Sequence, residues 1–514
     1  MKTRFGMAGL LLAVIVGMQL AVSVPRLTLP FVDTRIHYNI DNAMFTFCAR
    51  NGILLNTPKT QLGLTFVRHS AWGKPSGEVW YYSHLPFLFK ALFQLYVRMC
   101  GDAEWVSRSF GVSVAIIATA GIFTSLLVAS ESLLATFLGT AVLIGTPAFT
   151  LNQACIRQEI DGMAVAAWFF VAVALYLRRT RRTYLMAAML LAALSGLAHW
   201  TGLLMVIMTV CWLSWERVRN GDREAGRAAL AAGTGAFSGV VAVVATLAWL
   251  NGGWRPFATE ILTAASSRSG AMEPLGPWIE RQQIYLEMNF GRVLLWSISV
   301  LAVGLAARWV WSSRKSKPRN SGNAAARLLP AFLSITSATA FIWLVAFREG
   351  SYVHSFWQLW LCLPIASLVV LAIVTARSSV PLHSVAVTAA GALAVWLQVA
   401  SWTAYRELLE NQMGNTLDIA LLKSVRNDQF SRFVFIPVEQ HPFNNWFQGP
   451  VFEYYTDRNV VTYDGEVQLD PGDKALLMLH ENQETLVAEI GKQLHVVFSN
   501  AKCGPDFCIY DVTR

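Results

Sequence analysis

The chain predicts a polytopic α-helical membrane protein ending in a small soluble α/β domain. Its residues are 54% hydrophobic and only 14% charged, too apolar and too poor in charge for an ordinary soluble domain. The apolar residues also gather in runs near the length of about 20 residues that crosses a bilayer. After about residue 403 the hydropathy falls, which divides a membrane module, 1–402, from a soluble segment, 403–514.

Eleven candidate spans follow in order, near 7–24, 105–128, 132–149, 160–177, 183–199, 200–215, 229–250, 291–311, 328–347, 357–376 and 382–402. The first run also has signal-peptide features, a basic start and a small-x-small pair at Ala21 and Ser23; the first span of a polytopic protein shows the same features and is the reading adopted. Between the spans lie two long loops, roughly 25–104 and 251–290. Amphipathic stretches such as "HLPFLFKALFQLYVRMCG" (His84 to Gly101) suit helices lying along the membrane surface. In the soluble segment, "RFVFIPV", "KALLMLH", "HVVFSN" and "FCIYDVT" read as strands, and "GPVFEYYTDRN" and "NQETLVAEIGKQL" as helices.

The net charge is +9, yet the basic residues do not form a face for nucleic acid. They lie between spans: Lys2 and Arg4, "RRTRRT" (Arg178 to Thr183), "ERVRNGDREAGR" (Glu216 to Arg227) and "RKSKPRNSGNAAAR" (Arg314 to Arg327). Alternate loops rich in Lys and Arg mark the cytoplasmic side. The amino terminus is then inside, and an odd number of spans places the carboxyl-terminal segment outside. There Cys503 and Cys508, in "CGPDFC", suit a short-loop disulfide. No Walker loop, GxGxxG or HExxH element is present.

With that topology, the titratable residues beside spans share the outer face. They are Asp41 and His84 in the first outer loop, Arg157, Glu159 and Asp161 in "RQEIDG", His199 in "LAHWTG", and Arg348, Glu349 and His354 in "FREGSYVH". Ionisable groups near a bilayer are costly and mark sites. Each also has a structural reading. Asp41 suits a helix N-cap, Asp161 complements a helix dipole, and His199 suits an interfacial turn.

The ordered motifs "DNAMFTFCARNG", "HLPFLFKALFQLYVRMCGDAEWVSRS", "RQEIDGMAVAAWFFVAVALYLRR", "LSGLAHWTGLL" and "YVHSFWQLWLCLPIASL" resemble the polytopic glycosyltransferases that use a polyprenyl-phosphate sugar. Protein O-mannosyltransferases and the aminoarabinose transferases of lipid A are members of that C superfamily. The resemblance spans roughly residues 7–400. The family's first-loop Asp matches Asp41, while its following Glu is Asn42 here. The family's His-Pro-Pro or Lys-Pro-Pro element appears as His84, Leu85 and Pro86; Arg108 and Asp161 match family positions, and His199 stands where relatives have Lys.

The resemblance implies transfer of a hexose or pentose from a lipid phosphate to a lipid, glycan or protein acceptor, at the outer face of a bacterial inner (plasma) membrane. Asp41 is the expected general base and Asp161 the second catalytic carboxylate. His84, Arg108, Arg157, His199, Arg348 and His354 are the expected substrate contacts. No cofactor or metal is assigned. Two rivals share this outline: a transporter or flippase of lipid-linked saccharide, which should show an inverted repeat and broken helices, and a lipid-carbohydrate ligase or polymerase.

Overall fold

The computed structural model describes all residues except 1, 30, 32–39, 63–64, 70–75, 82–85, 269–273, 316–323, 414–415, 427, 429, 431, 437–448, 459, 464–467, 478–482, 505–506 and 514. The chain forms two units. One comprises Met1–Pro25, Ser83–Phe89 and Gly111–Ala404; the other comprises Arg26–Tyr82, Lys90–Phe110 and Tyr405–Arg514.

The first unit is helical, as a chain that must pair its own backbone polar groups inside a bilayer has to be. Among the described residues, eight helices are long and apolar enough to cross: Gly6–Arg26, Glu104–Ser130, Gln158–Arg179, Trp200–Asn220, Arg223–Leu250, Arg327–Ala346, Ser355–Ala376 and Val380–Thr403. The expected spans near 132–149 and 183–199 form the shorter apolar helices Leu133–Gly145 and Arg182–Ala198. The run expected near 291–311 is one arm of a pair, Leu275–Phe290 and Arg292–Ala306, bent by 100°. At the bend Gly291 has φ +72°, backbone that favours glycine. All eleven expected runs are therefore helical, and eight of them meet the length for a span unaided.

The small-residue run 231–239 serves close packing. A Cβ at Gly235 would strike the carbonyl oxygen of Met189, and one at Gly239 that of Ala193, so the helices Arg223–Leu250 and Arg182–Ala198 meet backbone to backbone, as small residues permit.

The basic loops of this unit meet one another. Arg178 pairs with Glu131, the Tyr176 hydroxyl donates to Glu224, and Arg327 lies 3.5 Å from Glu216. They gather at one end of the helices. Arg157 and Arg178 stand at opposite ends of the helix Gln158–Arg179, separated by about 32 Å at 1.5 Å per residue.

The second unit contains the carboxyl-terminal α/β fold. Its strands are β3 (Phe433–Ile436), β4 (Val460–Thr462), β5 (Lys474–Leu477), β6 (Val497–Cys503) and β7 (Cys508–Thr513); β1 (Thr65–His69) and β2 (Ser76–Tyr81) form a separate antiparallel hairpin. The five-stranded order is β4-β3-β5-β7-β6, with β3 parallel to β4 and β5, and β7 antiparallel to β5 and β6. Alternation along the strands sends Phe433, Phe435, Leu476 and Ile509 to one face and Val434, Ile436, Ala475 and Tyr510 to the other. The helices Thr416–Val425 and Gly449–Thr456 cover the first face, and Glu484–Leu494 covers the second. Phe31 and Ala43 also enter the first core. The first long loop thus contributes to the carboxyl-terminal fold. Cys503 and Cys508 pair across β6 and β7 as a disulfide.

Candidate functional site

Arg157, in the first unit, is buried, with 1% of its surface exposed. It caps the start of the helix Gln158–Arg179 in extended backbone. Its Nε donates to Asn152 Oδ1 at 2.8 Å, and Asn152 Nδ2 in turn donates to the Ala148 carbonyl at 2.8 Å. The guanidinium stands 4.0 Å from the centre of the Phe356 ring, within cation–π range. Glu159 and Asp161 are buried in the first turn of the same helix, where the helix dipole favours negative charge.

His354 reaches the same ring from the other side of the sequence, its imidazole 5.0 Å from Phe356 and 6.0 Å from Trp357. Trp357 lies 4.7 Å from Trp343, and Trp343 lies 5.5 Å from His199. His199 is 2% exposed and joins two helices. It ends Arg182–Ala198 and caps Trp200–Asn220, its Nδ1 accepting from the Thr201 backbone N–H at 3.3 Å. Gly162, next to Asp161, lies where a Cβ would sit 3.1 Å from His199 Cβ and 3.2 Å from the Trp360 ring. Arg348 opens the six-residue helix Arg348–Val353 that leads to His354, and Gly350 in that helix leaves room for the Trp357 ring.

An aromatic series thus links Arg157, His354 and His199, with Asp161 and Arg348 in the flanking turns. The indole N–H groups of Trp343 and Trp360 are buried with no hydrogen-bond partner among the described residues.

Asp41 and Arg108 belong to the second unit. Asp41 lies half-buried in the first turn of the helix Ile40–Leu55, which packs against Gly449–Thr456. Arg108, 1% exposed, donates Nε and Nη2 to the Leu29 carbonyl, both at 3.3 Å, and its guanidinium faces the Phe31 ring at 5.3 Å. Those bonds hold the Leu29 backbone. His84 lies outside the described residues.

The same helix carries Arg50 into an ion network that the sequence reading missed. Arg50 meets Asp102 at 3.0 Å and Asp457 at 2.6 Å, and Arg426 meets Asp457 at 2.5 Å. Burial raises the Asp457 carboxyl above its ordinary value, although the two guanidiniums draw it down. Tyr454 donates to the Asp102 carbonyl at 2.8 Å, and Tyr455 donates to Glu104 at 3.1 Å while accepting from the Phe31 N–H at 2.6 Å. Burial raises both phenols. Nearby Glu453 is pushed up to about 7 by burial, against one backbone N–H bond from Val460. Among the described residues no three His, Cys, Asp or Glu side chains form a group that could hold a metal ion.

No protein-family model matches the chain, and no curated protein matches it. Solved structures do. ArnT from Cupriavidus metallidurans bound to undecaprenyl phosphate superposes with a TM-score of 0.53 over 98% of this chain and 98% of that one, at 12% identity. The apo oligosaccharyltransferase of Archaeoglobus fulgidus superposes with a TM-score of 0.56 over 96% of this chain and 69% of that one, also at 12% identity. The Archaeoglobus fulgidus oligosaccharyltransferase AglB, in complex with an inhibitory peptide and a dolichol-phosphate, gives 0.51 over the same shares at 11% identity. At such identities the likeness is one of overall fold.

Proposed function

We propose that the protein is an integral membrane glycosyltransferase that moves a hexose or pentose from a polyprenyl-phosphate donor to a lipid, glycan or protein acceptor. The observation that carries the reading is the shared fold over 98% of both chains with a structure that holds undecaprenyl phosphate. The outer set of the first unit supports it. Arg157 and His354 both lie against the Phe356 ring, offering a guanidinium and an imidazole for a lipid phosphate. The free indole donors of Trp343 and Trp360 suit sugar or phosphate oxygens, since a buried donor left unpaired costs about 1–3 kcal/mol. His199 and Arg348 add polar reach to that set, and His84 is assigned with them by its place in the first loop.

In this mechanism the Asp41 carboxylate removes the acceptor's proton as its oxygen or nitrogen attacks the anomeric carbon, and the sugar–phosphate bond breaks with its electron pair moving to the lipid phosphate. The cationic groups steady that departing charge. Asp161 is the second carboxylate, placed to orient groups at the helix start. Arg108 shapes the first loop by holding Leu29.

The reaction is assigned to the outer face of a bacterial inner membrane, with residues 1–402 as the membrane module and 403–514 outside. The basic loops that carry Arg178 and Arg327 lie at one end of the helices, which supports that orientation, and the disulfide suits an oxidising compartment. The test is transfer of radiolabelled sugar from a synthetic polyprenyl-phosphate donor, with the purified protein in proteoliposomes. Label should move to an extracted envelope acceptor; labelled donor that only changes leaflet, with the sugar–phosphate bond intact, would establish a flippase instead.

A further inference from the structure

The chain breaks at His354, which is extended (φ −113°, ψ 101°) between the helix Arg348–Val353 and the 3-10 helix Ser355–Leu361. A break strips carbonyls of their helical partners, and buried carbonyls need donors. Here the donors are side chains of a distant helix. Trp278, Gln282, Tyr285 and Asn289 are spaced four, three and four apart on Leu275–Phe290, which places them on one face.

Trp278 Nε1 donates to Ser351 Oγ at 2.8 Å and Gln282 Nε2 to the Ser351 carbonyl at 2.7 Å. The Tyr285 hydroxyl donates to the Tyr352 carbonyl at 2.9 Å, and Asn289 Nδ2 to the Ser355 carbonyl at 2.8 Å. Gln358 closes the set. Its Nε2 donates to Gln282 Oε1 at 2.9 Å, and its Oε1 accepts from Asn289 Nδ2 at 3.1 Å. Gln282, Asn289 and Gln358 are all buried. Buried amides destabilise unless fully bonded, so three that bond one another and the irregular backbone specify a single arrangement of it.

The stretch so fixed carries His354 at the break and Phe356 two residues on, the ring against the Arg157 guanidinium. We propose that the row Gln282, Tyr285 and Asn289, with Gln358, positions the lipid-phosphate site: it sets His354 and Phe356, and through Phe356 the Arg157 guanidinium. These are positioning residues with no contact to substrate. The inference rests on the reading of Arg157 and His354 as donor contacts.

The test titrates undecaprenyl phosphate into the full-length protein in detergent and reads affinity and stoichiometry separately. Tyr285→Phe removes one hydroxyl, and Gln282→Met keeps the length while removing the amide. With about 1 kcal/mol per lost bond, affinity should fall about threefold to tenfold for Tyr285→Phe and about tenfold to thirtyfold for Gln282→Met, with stoichiometry unchanged. Lower stoichiometry at parent affinity would mean that the row only supports folding, and would overturn the proposal. So would parent affinity in both variants while Arg157→Ala binds weakly. Parent affinity in Arg157→Ala would instead remove the site reading, and this inference with it. Should Gln282→Met fail to fold, Tyr285→Phe alone decides.

Discussion

Asp41 was legible as a residue and illegible as a role. Its place before an apolar-periodic stretch suits a cap as well as a base; the structure puts it inside the first turn of the helix Ile40–Leu55, past the N-cap position, where the helix dipole favours a carboxylate. Asp41→Asn separates a structural role from a catalytic one, because it keeps the size and loses about 0.3–1 kcal/mol of dipole interaction at most, while Asn takes no proton. Turnover should fall about 100-fold to 10,000-fold with the fold intact, measured as sugar transfer at saturating donor beside circular dichroism of the same preparation. Near-parent turnover would transfer the role of base to Asp161. Glu453 gives a second prediction at this scale. Its pKa rises on folding from an ordinary 4.5 to about 7, so the folded state favours the protonated acid. Its contribution to stability is present below about pH 4.5 and lost as pH rises toward 7. In Glu453→Gln the fall in Tm between pH 5 and pH 7.5 should shrink relative to the parent; an unchanged fall would show that Glu453 titrates alike in both states.

At the scale of elements, period and composition located the helices, while their partners depended on shape. The small-residue run 231–239 is packed, with Gly235 and Gly239 tight against Met189 and Ala193. Gly239→Leu should therefore lower the Tm in detergent by several degrees and reduce yield, as overpacking costs about 1–3 kcal/mol. A Tm within one or two degrees (about the change expected for a tolerated surface substitution) would show that the helices separate freely there. The polar row of Leu275–Phe290 was visible as spacing, since residues 278, 282, 285 and 289 obey the helical period. What it bonds was not visible, because its acceptors lie 66 to 73 residues away on irregular backbone. The hairpin of β1 and β2 was missed for a related reason: "TFVRH" and "SGEVWY" are short strands with a long connection, and so lack the tight-turn signal.

For the whole molecule, the alternating basic loops predict that the carboxyl terminus is outside. A cytoplasm-only reporter fused after Arg514 should stay dark and a periplasm-active one should report, with the fusion intact on a blot. The reverse result would invert the assignment, and with it the face on which transfer is proposed. The sequence alone determined the membrane class, the helical runs and the α/β character of the end. Each of these depends on apolar content, period and charge, which neighbouring residues set among themselves. Only the tertiary structure decided that Phe31 and Ala43 fill the same core as Phe433 and Ile509, that Arg50 meets Asp457 407 residues along the chain, and that Arg157 rests on Phe356. No local pattern encodes such pairs, since burial of charge and close packing choose partners by the path of the backbone through space.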